Sequence, residues 1–372
     1  MTFASTDLSR TRGPAADRRP ERASRACDID TLRGLACLAL VSFHVVGYTP
    51  RTGLELPQDH WLPLMNAALA DMRMPLFSFL SGYVFVMVSA GAGLGGWIRN
   101  RVAAKARRLL LPMLTVSALF WLARTAQGQA QPPLWSIAVL PYAHFWYLQA
   151  TFLIMAAFLA LAGLNGGRGT SAALALLLGG WTLWIALPRL DPNLFSVADA
   201  LRLSGFFAAG YLAAAHWSRI DAVLPRRWQR ALGAGLLAAL VLAGALRAQG
   251  GWSPAGPMQV VPVLVIGLGS CMALLLLRPR IAALAWLGPY SYAIYLFHVF
   301  FTAGSREMLS HLLPGLAPGA LWALGLLAGV LGPVAVHLAA LRHPLGATAL
   351  LGLRWRPGPA RPGGTASRQR RA

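Results

Sequence analysis

The chain has 372 residues, 56% of them hydrophobic and only 12% charged, and its mean hydropathy is +0.55. Soluble domains carry about 25% charged residues, and here the shortage runs along the whole length, which excludes an ordinary soluble fold. The net charge of +21 does not indicate nucleic acid as a partner, because the basic residues lie between apolar runs, as in the loops of a membrane protein. The alternating segments of about ten residues that build a transmembrane barrel are missing.

In chain order, residues 1–28 are polar and rich in Arg. They lack the apolar stretch of a cleavable signal, so they predict a disordered basic tail followed by an uncleaved first span. Ten apolar runs follow, near 31–49, 74–90, 109–124, 145–164, 171–188, 200–217, 231–246, 258–277, 284–303 and 318–341. Each approaches the length of about 20 residues that a lipid-crossing helix needs. Residues 346–372 form a second Arg-rich tail with no apolar period, again predicting disorder. The expectation is an all-α polytopic membrane protein of about ten transmembrane helices, with one membrane domain over residues 29–345.

Loop charge gives the orientation. Alternate connections and the two tails hold 25 basic residues, and the opposite connections hold seven, among them Arg51, Arg73, Arg124 and Arg189. Basic loops stay in the cytoplasm, so both termini are predicted there. The three cysteines, Cys27, Cys37 and Cys271, have neither a disulfide framework nor metal-ligand spacing, and no metal is expected. The oligomeric state is not readable from the sequence.

Four runs carry polar residues that lipid tolerates poorly. In the first, Arg33 and His44 are eleven positions apart, about 1100° of helical rotation, so they share a face about 16 Å apart along the axis. In "DMRMPLFSFLSGYVF", Asp71 to Phe85, Pro75 suits a first helical turn. Ser78, Ser81 and Gly82 make a small polar stripe there, suited either to close helix packing or to a cavity wall. In "WIRNRVAAKARRLLLP", Trp97 to Pro112, the residues Arg101, Lys105 and Arg108 share a helical face, with Arg99 nearby. That face is either ordinary cytosolic charge or a grip for phosphates. In "LGPYSYAIYLFHVF", Leu287 to Phe300, the residues Ser291, Tyr295 and His298 form another stripe. "HFWYLQATF", from His144, reads as an interfacial aromatic belt.

Taken together, these runs resemble the membrane acyltransferase-3 family, multi-span enzymes that O-acylate bacterial polysaccharides and other surface molecules. The family's basic residue, ten residues, then His matches Arg33 and His44 in "LRGLACLALVSFH". "LFSFLSGYVF" is similar to its second-helix motif, with Ser78 standing where the pattern has phenylalanine. "KARRLLLP", "HFWYLQ" and "SYAIYLFH" resemble its later motifs, in the same order.

The resemblance implies an acyl-coenzyme A donor, commonly acetyl-CoA, arriving from the cytosol. It also implies a carbohydrate or other hydroxyl acceptor, and a location in the bacterial cytoplasmic (inner) membrane among lipid. On this reading His44 and Arg33 are catalytic. Lys105 and Arg108, or the literal Arg-x-Arg pair Arg99 and Arg101, bind the donor. Ser78, Ser81, Tyr295 and His298 position substrate, and the acceptor enters past Asp59, Asp71 or Arg73. His44 either removes a proton from the acceptor hydroxyl or carries the acyl group itself. The competing class is a transporter or flippase with Arg33 and His44 lining its path.

Overall fold

Long Leu-, Ala- and Val-rich runs leave their backbone groups nothing to bond in lipid except themselves, so they form helices. A computed structural model describes residues 18–47, 49, 52–89, 98–187, 190–250, 258 and 260–354. Arg51, Trp97 and Arg189, residues 1–17 and residues 355–372 lie outside it. The helices are α1 (Arg18–Val46), α2 (Trp61–Ala68), α3 (Ala70–Ser89), α4 (Ile98–Ala126), α5 (Ser136–Val139), α6 (Trp146–Leu164) and α7 (Gly169–Ala186). They continue as α8 (Val197–Val223), α9 (Arg226–Ala248), α10 (Val260–Leu277), α11 (Ala282–Leu287), α12 (Ser291–Leu312), α13 (Pro318–Ala340) and α14 (Pro344–Ala349). No strand occurs among the described residues.

Nine of the ten apolar runs coincide each with one long helix, and the tenth, 284–303, takes in α11 and much of α12. Seven helices are long and apolar enough to cross a membrane: α4, α6, α7, α9, α10, α13 and the Cys27–Val46 part of α1. The other three, α3, α8 and α12, bury polar side chains inside the bundle, including Arg73, Ser78, Ser204, Ser291 and His298. These helices also carry charged residues, among them Arg73 in α3, Asp199 and Arg202 in α8, and Arg306 and Glu307 in α12, which lower their hydropathy. The chain is therefore an all-α, polytopic membrane protein.

The predicted boundaries need four corrections. Helix α1 begins at Arg18, so residues 18–28 are helical rather than disordered. At the other end, α14 and the buried Leu351 extend ordered structure past residue 345, because Leu351 packs into the apolar core. The run at 284–303 is not one helix. A 3₁₀ turn over Gly288–Tyr290 separates α11 from α12, since Pro289 lacks the N–H that a continuous helix requires. Pro75 lies inside α3, beyond its first turn. The ladder bond it forgoes faces Gly267 of α10, where a Cβ would stand 2.9 Å from the Asp71 carbonyl oxygen and 3.0 Å from the Pro75 ring.

Helices α3 and α8 pack against each other through facing glycines. A Cβ at Gly82 would lie 1.9 Å from the Phe207 carbonyl oxygen, and one at Gly210 would lie 1.9 Å from that of Phe79. Small residues permit this approach, and the contact area then holds the pair together in lipid. Around it lie Phe79, Phe158, Phe206 and Phe207, all fully buried. Helix α1 touches α2, α3, α11, α12 and α13, which puts its polar stripe inside the protein. It stops at Gly47, whose φ of +90° suits the residue that ends a helix.

Polar contacts gather at both ends of the bundle. At the Asp28 end of α1, Asp28 pairs with Arg280, Arg278 with Asp221, and Arg226 donates to the Leu276 carbonyl. At the His44 end, Arg306 donates to the Gly53 carbonyl, and Arg247 pairs with Asp71 at 2.9 Å. Several connections predicted to share the cytoplasmic side thus meet at one end.

Candidate active site

Six of the polar side chains singled out in the sequence line one cavity of about 270 Å³: Arg33, Ser81, Lys105, Arg108, Ser291 and Tyr295. Arg33 donates to Asp30 Oδ1 and to Ser291 Oγ, both at 2.9 Å. Ser291 is in reach because the break at Pro289 restarts the helix beside α1, where Gly288 packs directly on Asp30. Arg108 lies over the Tyr292 ring, 4.5 Å from its centroid, and donates to the Leu351 carbonyl. Lys105 Nζ stands 5.0 Å from the centroid of Phe85. Deeper in the cavity, the hydroxyls of Ser81 and Tyr147 are 3.3 Å apart, and Met155 and Leu148 supply apolar wall. The cavity carries three cations, Arg33, Lys105 and Arg108, and is otherwise mostly apolar. It sits near the lower limit of small-molecule sites, which run from about 300 Å³ upward.

A second cavity, about 1190 Å³, opens at the other end of the bundle and is lined by His44, Phe120, Arg124, Gln129, Thr302 and Glu307. Between the two cavities stand three rings. His298 lies 4.8 Å from His44 and 4.9 Å from His144, and the His44 and His144 centroids are 6.0 Å apart. Tyr295, on the wall of the basic cavity, is 5.7 Å from His144 and donates its hydroxyl to the His144 carbonyl oxygen.

Backbone partners set the tautomers. His298 Nδ1 lies 2.9 Å from the carbonyl oxygens of both Ile294 and Tyr295. A carbonyl only accepts, so that nitrogen carries the proton, and the buried Nε2, without a partner, presents its lone pair. His144 Nε2 faces the Leu296 carbonyl at 3.3 Å, which leaves its buried Nδ1 as the open acceptor. His44 is half-buried and is the only one of the three on the wall of the wide cavity.

Three predicted residues stand apart from the cavities. Ser78 donates to the Leu203 carbonyl at 2.9 Å and is buried in the α3–α8 contact, so it is a packing residue and not a substrate contact. Arg99 is exposed and Arg101 half-exposed, and neither is on the cavity wall, because they lie one to two turns before Lys105 on α4. Among the predicted acceptor residues, Asp71 is occupied by Arg247 and Asp59 is exposed. The sequence reading missed His144 as a site residue. It sits in the connection before α6, next to Ala143 with φ of +45°, where no helical period ties it to His44. Its one signal was a histidine heading an aromatic helix start. Among the described residues, no group of three or more His, Cys, Asp or Glu is placed to hold a metal ion.

Imidazoles and cations held inside a bundle of apolar helices mark a candidate functional site in an integral membrane protein. The family of acyltransferase domains, acyltransferase 3, matches residues 28–338, and the chain belongs to it. It is a multi-pass membrane acyltransferase. No curated protein and no solved structure matches the chain.

Proposed function

We propose that the protein moves an acyl group, in the first instance acetyl, from cytosolic acyl-coenzyme A to a hydroxyl of a surface carbohydrate or similar acceptor. The carrying observation is the pair of cavities, one small and cationic with Tyr295 on its wall, the other wide with His44 on its wall, linked by ring contacts from Tyr295 to His144, His144 to His298 and His298 to His44. Lys105, Arg108 and Arg33 bind donor phosphates on the cytosolic side, where guanidinium and ammonium groups suit phosphate oxygens. The small cavity takes the thioester arm rather than the whole donor. The acceptor occupies the wide cavity on the far side.

In the reaction, the acceptor oxygen attacks the thioester carbon while His44 takes the hydroxyl proton. The new C–O bond replaces the C–S bond. The thiolate leaves and recovers the proton from the imidazolium. Tyr295 and His298 lie where reactants from the two cavities must meet, so Tyr295 has to swing aside during transfer. His144 and His298, fixed by carbonyls, pack their rings against His44 and hold it in place. The bacterial inner membrane is the setting this chemistry implies, with a cytosolic donor and an outward acceptor.

The test is transfer from radiolabelled acetyl-coenzyme A to a panel of glycans by the purified protein in nanodiscs. Wild type should yield acylated glycan, and His44→Ala about 10²–10⁴-fold less at unchanged Tm. Solute flux across a bilayer with no acylated product would replace this reading with transport.

A further inference from the structure

Near the His44 end of α1 the protein holds a buried cation that has to share its nearest carboxylate: Asp71 acts on Arg73 electrostatically but is ion-paired with Arg247. Arg73 is 9% exposed and forms no ion pair among the described residues. The neighbouring carboxylate, Asp71, is bound to Arg247 at 2.9 Å. Arg73 lies over the Phe43 ring, 4.0 Å from its centroid, and donates from Nη1 to the Asn66 backbone carbonyl at 3.1 Å. A guanidinium has five N–H donors, and these contacts use few of them.

Asn66, 4% exposed, has the same surplus. The indole N–H of Trp322 donates to Ser42 Oγ at 2.9 Å, and Ser42 in turn donates to Asn66 Oδ1 at 3.3 Å. That chain commits the amide oxygen and turns the amide nitrogen the other way. Asn66 Nδ2 is buried with no partner. Both residues line a small cavity of about 140 Å³, together with Phe43, Thr49 and Pro63. A buried guanidinium without a salt bridge is destabilising, and a buried unsatisfied amide adds to the cost. Two donors with spare capacity around one cavity call for an acceptor with negative charge.

We propose that this cavity is a binding site for a single oxyanion, a carboxylate or phosphate group, held by Arg73 and Asn66 Nδ2. The site is separate from the two cavities of the proposed reaction and stands whether or not that reading holds. The group reaches it either on a soluble molecule or on the headgroup of an anionic lipid. Because Phe43 packs edge-on against His44, 5.0 Å between centroids, a soluble occupant would be an acidic acceptor, a point that rests on the reading of the function above.

The experiment is thermal unfolding of the full-length protein in phosphatidylcholine nanodiscs. Sodium phosphate and sodium acetate are titrated against sodium chloride at constant ionic strength, and a parallel set of discs contains phosphatidylglycerol. The parent should show a saturable rise in Tm with phosphate or acetate, or with phosphatidylglycerol, and Arg73→Gln should lose it. A rise with the soluble anions identifies a soluble source, and a rise with phosphatidylglycerol alone identifies the headgroup. Asn66→Asp supplies a built-in carboxylate. It should have a higher Tm than the parent in chloride and no response to added anion, and it decides the matter if Arg73→Gln does not fold. No rise in any condition, an equal rise in Arg73→Gln, or a lower Tm for Asn66→Asp in chloride would overturn the site.

Discussion

His44 and Arg33 occupy opposite ends of one helical stripe, and each opens on a different cavity. Helical phase made this separation readable in advance, because eleven positions on an α-helix return to the same face. The same periodicity could not choose between the two basic pairs on α4. The cavity separates them, because Lys105 and Arg108 are on its wall while Arg99 and Arg101 are not, and the proposed function assigns donor binding to the first pair. Lys105→Ala should therefore raise KM for the acyl donor about tenfold or more, the size of one lost charge-assisted contact, with a smaller change in kcat, measured by steady-state kinetics. Ser78 shows the opposite outcome. A serine on the predicted cavity stripe proved to bond the Leu203 carbonyl. Ser78→Ala should cost about 0.6–2 kcal/mol of stability, the range for interhelical hydrogen bonds in membranes. It should leave kcat and KM per folded molecule unchanged, as unfolding and kinetic measurements together would show.

Among the elements, the helices were foreseeable and their interruptions less so. Apolar length located all ten long helices, because lipid allows a spanning segment few other conformations. The break at Gly288–Tyr290 was hidden in a continuous apolar run, although Gly288 and Pro289 stood in it. Its effect is local but decisive for the site, since it brings Ser291 against Arg33. The α3–α8 contact depends on two glycines with backbone oxygens where a Cβ would go. Gly210→Leu must push the helices apart, and overpacking of this kind costs about 1–3 kcal/mol or more. The expected result is aggregation or a markedly lowered Tm by size-exclusion chromatography and thermal unfolding. Gly235, which has open space around it, should accept Ala with little change.

For the whole molecule, the charge count divided the connections into two sets, and the fold brings members of each set together at its own end. Asp28, Asp221, Arg278 and Arg280 meet at one end, and Gly53 and Arg306 meet at the other. Charge is informative here because the membrane potential and lipid surface act on loops independently of their sequence. The histidine cluster was only partly legible: His144 joins it from a connection, through tertiary packing that no period in the sequence encodes. Single cysteines at Gln129 and at Arg227, in a chain with Cys27, Cys37 and Cys271 replaced, should report the orientation. The first should react with an impermeant maleimide in intact cells, and the second only after permeabilisation. The reverse pattern would invert the assignment of donor and acceptor sides.

The most direct measurement uses proteoliposomes of defined orientation, with labelled acetyl-coenzyme A on the Lys105 face and a hydroxyl acceptor on the His44 face. Acylated acceptor should accumulate on the His44 side. His44→Ala should reduce its formation by about 10²–10⁴-fold, the range for loss of a general base. Full activity in His44→Ala, or product formed only when donor and acceptor share one side, would contradict transfer between the two cavities.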